Sequence, residues 1–293
     1  MTFFIELILS GFMNGAIYAV LALGLVVLYK SSSILNFAHG ELALLGAFLC
    51  YAAINQAGLS IAIALSATLL MSAGIGLFIE VAFLRRLTGQ PLISAIMMTL
   101  GLAALLRGVV LLMWGPQPRS FELFPSKLLF IGDLVVSLEQ IILLILLIGV
   151  VLMVGLFFKR TNMGLAMRAA SEDHQAARAT GVNLKNVFRL ALVVVCVTAT
   201  TGGLIISGLY GLDFNISDIG LKAFAVILLG GMDSIAGAIV AGLLVGVLET
   251  LAAGYLDPFV GGGVAEIFPY VVLLLLLMIR PYGLFGLIRI ERI

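Results

Sequence analysis

The sequence predicts an all-α polytopic membrane protein with about eight transmembrane segments, one of which, 222–250, is broken or re-entrant. Three observations carry that prediction. Of 293 residues, 62% are hydrophobic and 11% are charged, whereas a soluble domain carries about 25% charge. The mean hydropathy is +1.24, more apolar surface than one soluble core can hide beneath a polar shell. The apolar residues also fall into runs of about 20, the length needed to cross a bilayer. A soluble globular protein, a disordered chain and a secreted disulfide scaffold are thereby excluded.

The runs lie near 5–29, 35–54, 60–84, 91–114, 134–158, 189–211, 222–250 and 267–288. The first has no Lys or Arg before Lys30. It therefore lacks the basic start of a cleaved signal peptide and reads as a span. Connections are short except for 115–133 and 159–188, and the second is polar. No internal duplication is evident, so 1–293 reads as one transmembrane domain. Cys50 and Cys196 sit inside apolar runs, without metal-ligand spacing, as small core residues. The two histidines, His39 and His174, lie in distant segments, and no metal site is expected.

Basic residues favour the cytoplasmic side. Lys159, Arg160, Arg168, Arg178, Lys185 and Arg189 place 159–188 inside. Counting backwards puts Arg85, Arg86 and Lys30 inside as well, and the N-terminus outside. Arg119, Lys127 and Lys222 fall outside, a minority. Counting forwards, three plain crossings would put Arg280, Arg289 and Arg292 on the wrong face. The conflict disappears if 222–250, interrupted by GGMDS at 230–234, enters and leaves on one face as two half-helices. Broken backbone of that kind must be covered by protein or line a wet cavity. The chain is thus expected to run N-terminus out, C-terminus in.

Lipid gives no hydrophobic drive between helices, so close approach through small residues matters. Gly11, Gly15 and Ala19 recur every fourth residue, as do Gly230, Ser234, Ala238, Gly242, Gly246 and Thr250. These stripes read as helix seams, within this chain or toward a second membrane subunit. Ionisable residues inside spans raise a functional question. Arg107 reads either as snorkelling to the outer interface or as an ion-pair member, and Glu80 and Glu249 as interfacial. Asn36, His39 and Glu41 cluster at the start of a span. They read as a capped helix start or as the polar lining of a conduction path. Asp233 reads as the N-cap of a half-helix or as a substrate contact at the midplane.

Between Asn162, a helix-start residue, and Gly181, a helix-stop residue, the cytoplasmic segment reads as one amphipathic helix. Leu165, Ala169, Ala176 and Ala179 form its small side. Arg168, Glu172, Asp173, His174 and Arg178 form its charged side. Such a rod reads as a solvated connector or as a dock for a soluble partner.

Four stretches together resemble the LivH-type permeases of branched-chain amino acid ABC transporters, in that family's order. They are ALGLVVLYKSSSILNFAHGELALLGAF (22–48), MRAASEDHQAARATGVN (167–183), LKAFAVILLGGMDSIAGAIVAGLLVGVLE (221–249) and RPYGLFG (280–286). The resemblance implies a multi-pass permease of a bacterial cell membrane that works by alternating access. Its implied partners are a second, LivM-like permease, two ATP-binding subunits and a periplasmic binding protein. It implies a coupling surface at Arg168, Glu172, Asp173, Ala176 and Gly181. It also implies a translocation path near Asn36, Phe37, His39, Gly40 and Glu41, with Gly230, Gly231 and Asp233 at the bend. ATP would be bound by the partners, since this chain has no G-x-x-x-x-G-K-[ST] phosphate loop. Relatives of the family serve urea, amides and other small polar solutes. An ion-coupled transporter or channel is the rival reading. A membrane enzyme lacks its catalytic cluster here, and nucleic acid finds no basic, aromatic-interleaved patch.

Overall fold

The structure, a computed structural model, describes residues 2–85, 91–121, 123, 128–131 and 134–286. The elements are α1 (Thr2–Ser32), α2 (His39–Tyr51) with a π-helical turn (Ala52–Gln56), and α3 (Ile61–Ile79) with a second π-helical turn (Glu80–Leu84). Then come α4 (Leu92–Trp114), strands β1 (Leu128–Ile131) and β2 (Leu134–Ser137), and α5 (Leu138–Arg160). The rest are α6 (Asn162–Glu172), α7 (His174–Ala179), α8 (Leu184–Tyr210), α9 (Asn215–Gly230), α10 (Ile235–Val260) and α11 (Val264–Ile279). Among the described residues, six helices are long and apolar enough to cross a membrane: α1, α3 with its π turn, α4, α5, α8 and α10. The predicted runs 35–54 and 267–288, and the first part of 222–250, are carried instead by the shorter α2, α11 and α9.

A span that is apolar all round belongs inside a bundle, and α1 is such a helix: every residue from 15 to 28 is buried. Helices α10, α8, α9 and α5 pack around it. The predicted glycine stripes meet there, within this chain. A Cβ at Gly11 would stand 2.7 Å from Val247 Cα, one at Gly15 2.7 Å from Leu243 Cα, and one at Gly242 2.7 Å from the Ala19 nitrogen. These pairs make α1 and α10 antiparallel. Gly24 against Thr198 and Gly202 against Leu21 do the same for α1 and α8.

The direction of each helix follows. Helix α9 stops at Gly230, residues 231–234 turn, and α10 runs back, so the predicted break lies where GGMDS stands. Gly231 takes φ +98°, a backbone that side chains rarely adopt. Leu284 and Phe285 N–H groups then donate to the Leu229 and Gly230 carbonyls, tying the C-terminal segment to the end of α9. The hairpin α9–α10 therefore begins and ends on one side of the bundle, and the 280–286 segment lies on the other, with the end of α1. Lys30, Arg189 and Arg280 share that end; Thr2 and Tyr210 lie opposite. Arg86, Lys127, Arg289 and Arg292 fall outside the described residues.

Two local expectations need correction. Residues 134–137 are not the start of a span. They pair antiparallel with 128–131, in keeping with the β-branched Val135–Val136. Glu80 is not interfacial but buried, where Arg85 grips it at 3.2 and 3.0 Å and Arg189 reaches it at 3.4 Å. This cluster ties the end of α3 to the start of α8. Glu80→Ala should lower the thermal midpoint of the detergent-solubilised protein, by the equivalent of about 1–3 kcal/mol. Both arginines reach solvent, which keeps the loss below that of a fully buried pair. An unchanged midpoint would show that the cluster holds nothing.

Candidate translocation and coupling sites

The chain leaves α1 at Ser33, with φ +56°, and forms no helix again until His39. Asn36 organises the interval. Its Oδ1 accepts from the Ala38 N–H at 3.1 Å, and its carbonyl accepts from the His39 N–H at 3.2 Å. Helix α2 has no side-chain cap, so this is not the capped interfacial start that residue types allowed. The unwound segment instead carries His39 back beside Gly24 and Thr198, where a Cβ on Gly24 would sit 3.1 Å from His39 Cε1. Gly24 lies about two helical turns before the end of α1, so His39 is inside the bundle. Backbone contact fixes this position: a Cβ on Gly220 of α9 would stand 3.0 Å from the Gly40 nitrogen. The Phe37 ring stacks on Phe224, centroids 4.9 Å apart.

Asn36 and His39 are fully buried and Glu41 nearly so. Among the described residues, Asn36 Nδ2 has no hydrogen-bond partner, and the His39 ring nitrogens and Glu41 Oε2 make no close one, although the Leu21 backbone lies near His39 and the Ser217 side chain near Glu41. A buried polar atom left unmet costs about 1–3 kcal/mol, so these groups around one unwound turn mark a place suited to polar company. The other carboxylate oxygen, Glu41 Oε1, accepts from Arg107 at 3.4 Å. Arg107 thus pairs with Glu41 while staying exposed, with its guanidinium 5.7 Å from the Phe214 ring centroid. Sequence reasoning missed the buried threonines of α8 that pack against α1 and α2. Thr198 lies beside His39, and Thr200 shares a hydroxyl hydrogen bond with Ser72 at 2.7 Å.

Gly230, Gly231 and Asp233 are elsewhere. Their bend sits at the end of the bundle, not at mid-depth, around a cavity of about 170 Å³ that Tyr29, Asp233 and Tyr282 help line. Ser234, not Asp233, caps α10, accepting from the Gly237 N–H at 2.9 Å. Midway along the two arms of the same hairpin lies an ion pair that residue types alone did not reveal. Lys222 donates to Glu249 at 2.7 Å and to the Ala265 carbonyl at 3.0 Å, and Tyr18 donates to the other Glu249 oxygen at 2.7 Å. Glu249 is buried rather than interfacial. Only the isolated Lys222 in an apolar run signalled it.

The polar segment after α5 is two helices, broken at Asp173. Thr161, not Asn162, caps α6, accepting from the Gly164 N–H at 2.9 Å. Asp173 caps α7, accepting from the N–H groups of Gln175 and Ala176 at 2.7 and 3.1 Å. Gly181, φ +89°, follows α7 as expected of a helix stop. The buried residues are Met167, Ala170 and Ala177; of the small side, Leu165, Ala176 and Ala179 are exposed and Ala169 is half-buried. Leu165, Glu172, Asp173, Ala176, Arg178 and Gly181 are exposed, and Arg168 is half-buried. Helix α6 lies against α1, α5 and α8, and α7 against α6 and α8, at the end shared with Lys30.

A family model described as "Branched-chain amino acid transport system / permease component" matches residues 7–279. The chain belongs to this family. It is 29% identical to the high-affinity branched-chain amino acid transport system permease protein BraD of Pseudomonas aeruginosa, over 99% of this chain and 98% of BraD. It is 26% identical to LivH of Escherichia coli K12, with the same coverage. It is 25% identical to a probable LivH of Methanocaldococcus jannaschii, over 91% of this chain and 87% of that one. A permease component of this kind is a multi-pass membrane protein of an ABC transport system and not an enzyme.

Proposed function

We propose that this permease forms the solute path of an importer for branched-chain or related amino acids, driven by ATPase subunits that dock on the exposed face of α6 and α7. The observation that carries this reading is the joint one: a family match along nearly the whole chain, and a charged, two-helix projection at the basic end, with Glu172 and Asp173 exposed at its break. The positive-inside rule makes that end cytoplasmic, which sets the N-terminus outside and the C-terminal segment inside. Two ATPases would bind there, a second, LivM-like permease would complete the path within the membrane, and a binding protein would deliver solute at the opposite face. The path itself would run past the unwound Asn36–Glu41 turn, whose unmet polar atoms suit water or a polar solute. ATPase closure would move α6 and α7, and through their seat on α1 and α8 would favour one of two access states. Nucleotide can shift that balance only by its differential affinity for the two.

The test is leucine uptake into proteoliposomes holding this chain with its permease and ATPase partners. Uptake should need ATP and vanish when the ATPases are left out. Uphill uptake by this chain alone, driven by an ion gradient, would overturn the proposal.

A further inference from the structure

At the end opposite α6 and α7, a cavity of about 250 Å³ lies between α1, α8, α9 and α10. That is several times the roughly 30 Å³ share of one water, room for a small solute. Its lining is of two kinds. Ile17, Ile206, Ile216 and Ile219 are aliphatic. Lys222 and Glu249 bring both signs of charge, 2.7 Å apart. Asp213, in the link between α8 and α9, and Asn215, the first residue of α9, also line it.

We propose that this cavity binds a zwitterionic amino acid with a branched aliphatic side chain, a reading that rests on the transport function proposed above and adds a site to it. The α-ammonium and α-carboxylate share one carbon, so a protein that holds both needs opposite charges side by side. Lys222 and Glu249 are so placed. Two of the three Lys222 protons go to Glu249 and the Ala265 carbonyl, which leaves the third for a ligand carboxylate. Each Glu249 oxygen holds one hydrogen bond, to Lys222 or to Tyr18, and keeps a lone pair for an ammonium group. The isoleucines then receive the side chain. As a purely structural staple the pair would be a poor choice, since well-packed apolar residues usually hold helices together as well as a buried ion pair or better. The site also has a line to the coupling end: Lys222 and Glu249 are on the two arms of the α9–α10 hairpin, whose turn lines a cavity with Tyr29 through Met232 and Asp233.

Cysteine protection tests this on the full chain in nanodiscs. Cys50 and Cys196 are buried, so the wild type gives a slow baseline, and Ile219→Cys reports on the cavity. L-Leucine should slow alkylation of that thiol by the factor one plus its concentration over its dissociation constant, several-fold near saturation. Glycine, 4-methylpentanoate and isoamylamine, each lacking one recognised part, should protect far less at equal concentration. Lys222→Met should abolish protection. Because that change strands Glu249, the pair Lys222→Met with Glu249→Leu is run beside it and should abolish protection while the gel-filtration profile stays monodisperse. Equal alkylation with and without leucine would overturn the site, as would equal protection by the one-charge analogues or by glycine, or protection that survives loss of both charges. Failure here with ATP-driven leucine uptake intact removes the site alone. Failure of that uptake in the wild type removes the transport reading.

Discussion

Gly15→Leu is expected to prevent the bundle from assembling, whereas Gly74→Leu is expected to leave the purified chain intact. A Cβ at Gly15 would already lie 2.7 Å from Leu243 Cα, while nothing lies within 4 Å of one at Gly74. The obstacle at Gly15 is main chain, so no rotamer change relieves it, and α1 and α10 must separate. Overpacking costs about 1–3 kcal/mol where side chains can adjust; here it displaces the helix on which α8, α9 and α10 all pack. In lipid, that packing is the main force joining helices. Gel filtration of the detergent-solubilised protein checks this. Gly15→Leu should aggregate or lose its sharp peak, and Gly74→Leu should elute as wild type does. Two equally monodisperse variants would show that the α1–α10 approach is looser than the structure has it.

The same seam shows what the amino-acid order alone reveals. A period of four in small residues is a property of a helix surface, so Gly11, Gly15, Gly242 and Gly246 mark the seam by their spacing. The break at 230–234 is equally plain, because two glycines followed by Asp and Ser cannot extend an apolar helix cheaply. Capping is legible to within one residue only. Thr161 precedes Asn162 and Asp233 precedes Ser234, and in each pair both members are good caps; packing chooses between them. The unwound turn before His39 is hidden for another reason. Ser33 to Ala38 contains neither Gly nor Pro, and its shape follows from contact between Gly40 and Gly220, far apart in the chain. Lys222 with Glu249 is hidden in the same way. Each residue alone looks interfacial, and their meeting depends on how α9 folds against α10. Small residues occur all round α6, so their spacing leaves its buried side open, and docking on α1 selects Met167 and Ala170 over Leu165.

Glu172→Lys is expected to cut ATP-driven uptake by at least about tenfold without loss of folded protein. Glu172 is exposed, and a surface change of this kind alters stability by about 0.5 kcal/mol or less. Tenfold corresponds to about 1.4 kcal/mol, which reversal of one charge at the centre of a docking face readily reaches. Asp173 is a less clean target, since its carboxylate also caps α7 through Gln175 and Ala176, so its loss would unwind the projection as well as discharge it. Gly181 tests the shape instead of the charge. At φ +89°, a β-branched residue is strained by about 1–2 kcal/mol, so Gly181→Val should re-aim α7 relative to α8 and reduce uptake while insertion persists. The measurement is paired: leucine uptake and ATP hydrolysis in proteoliposomes with equal amounts of permease and ATPase. Uptake should fall in both variants, with hydrolysis no longer following added binding protein and leucine. Wild-type uptake by both would mean that the ATPases grip this permease elsewhere, and that Leu165, Glu172 and Ala176 are exposed only because α6 and α7 have a polar outer side.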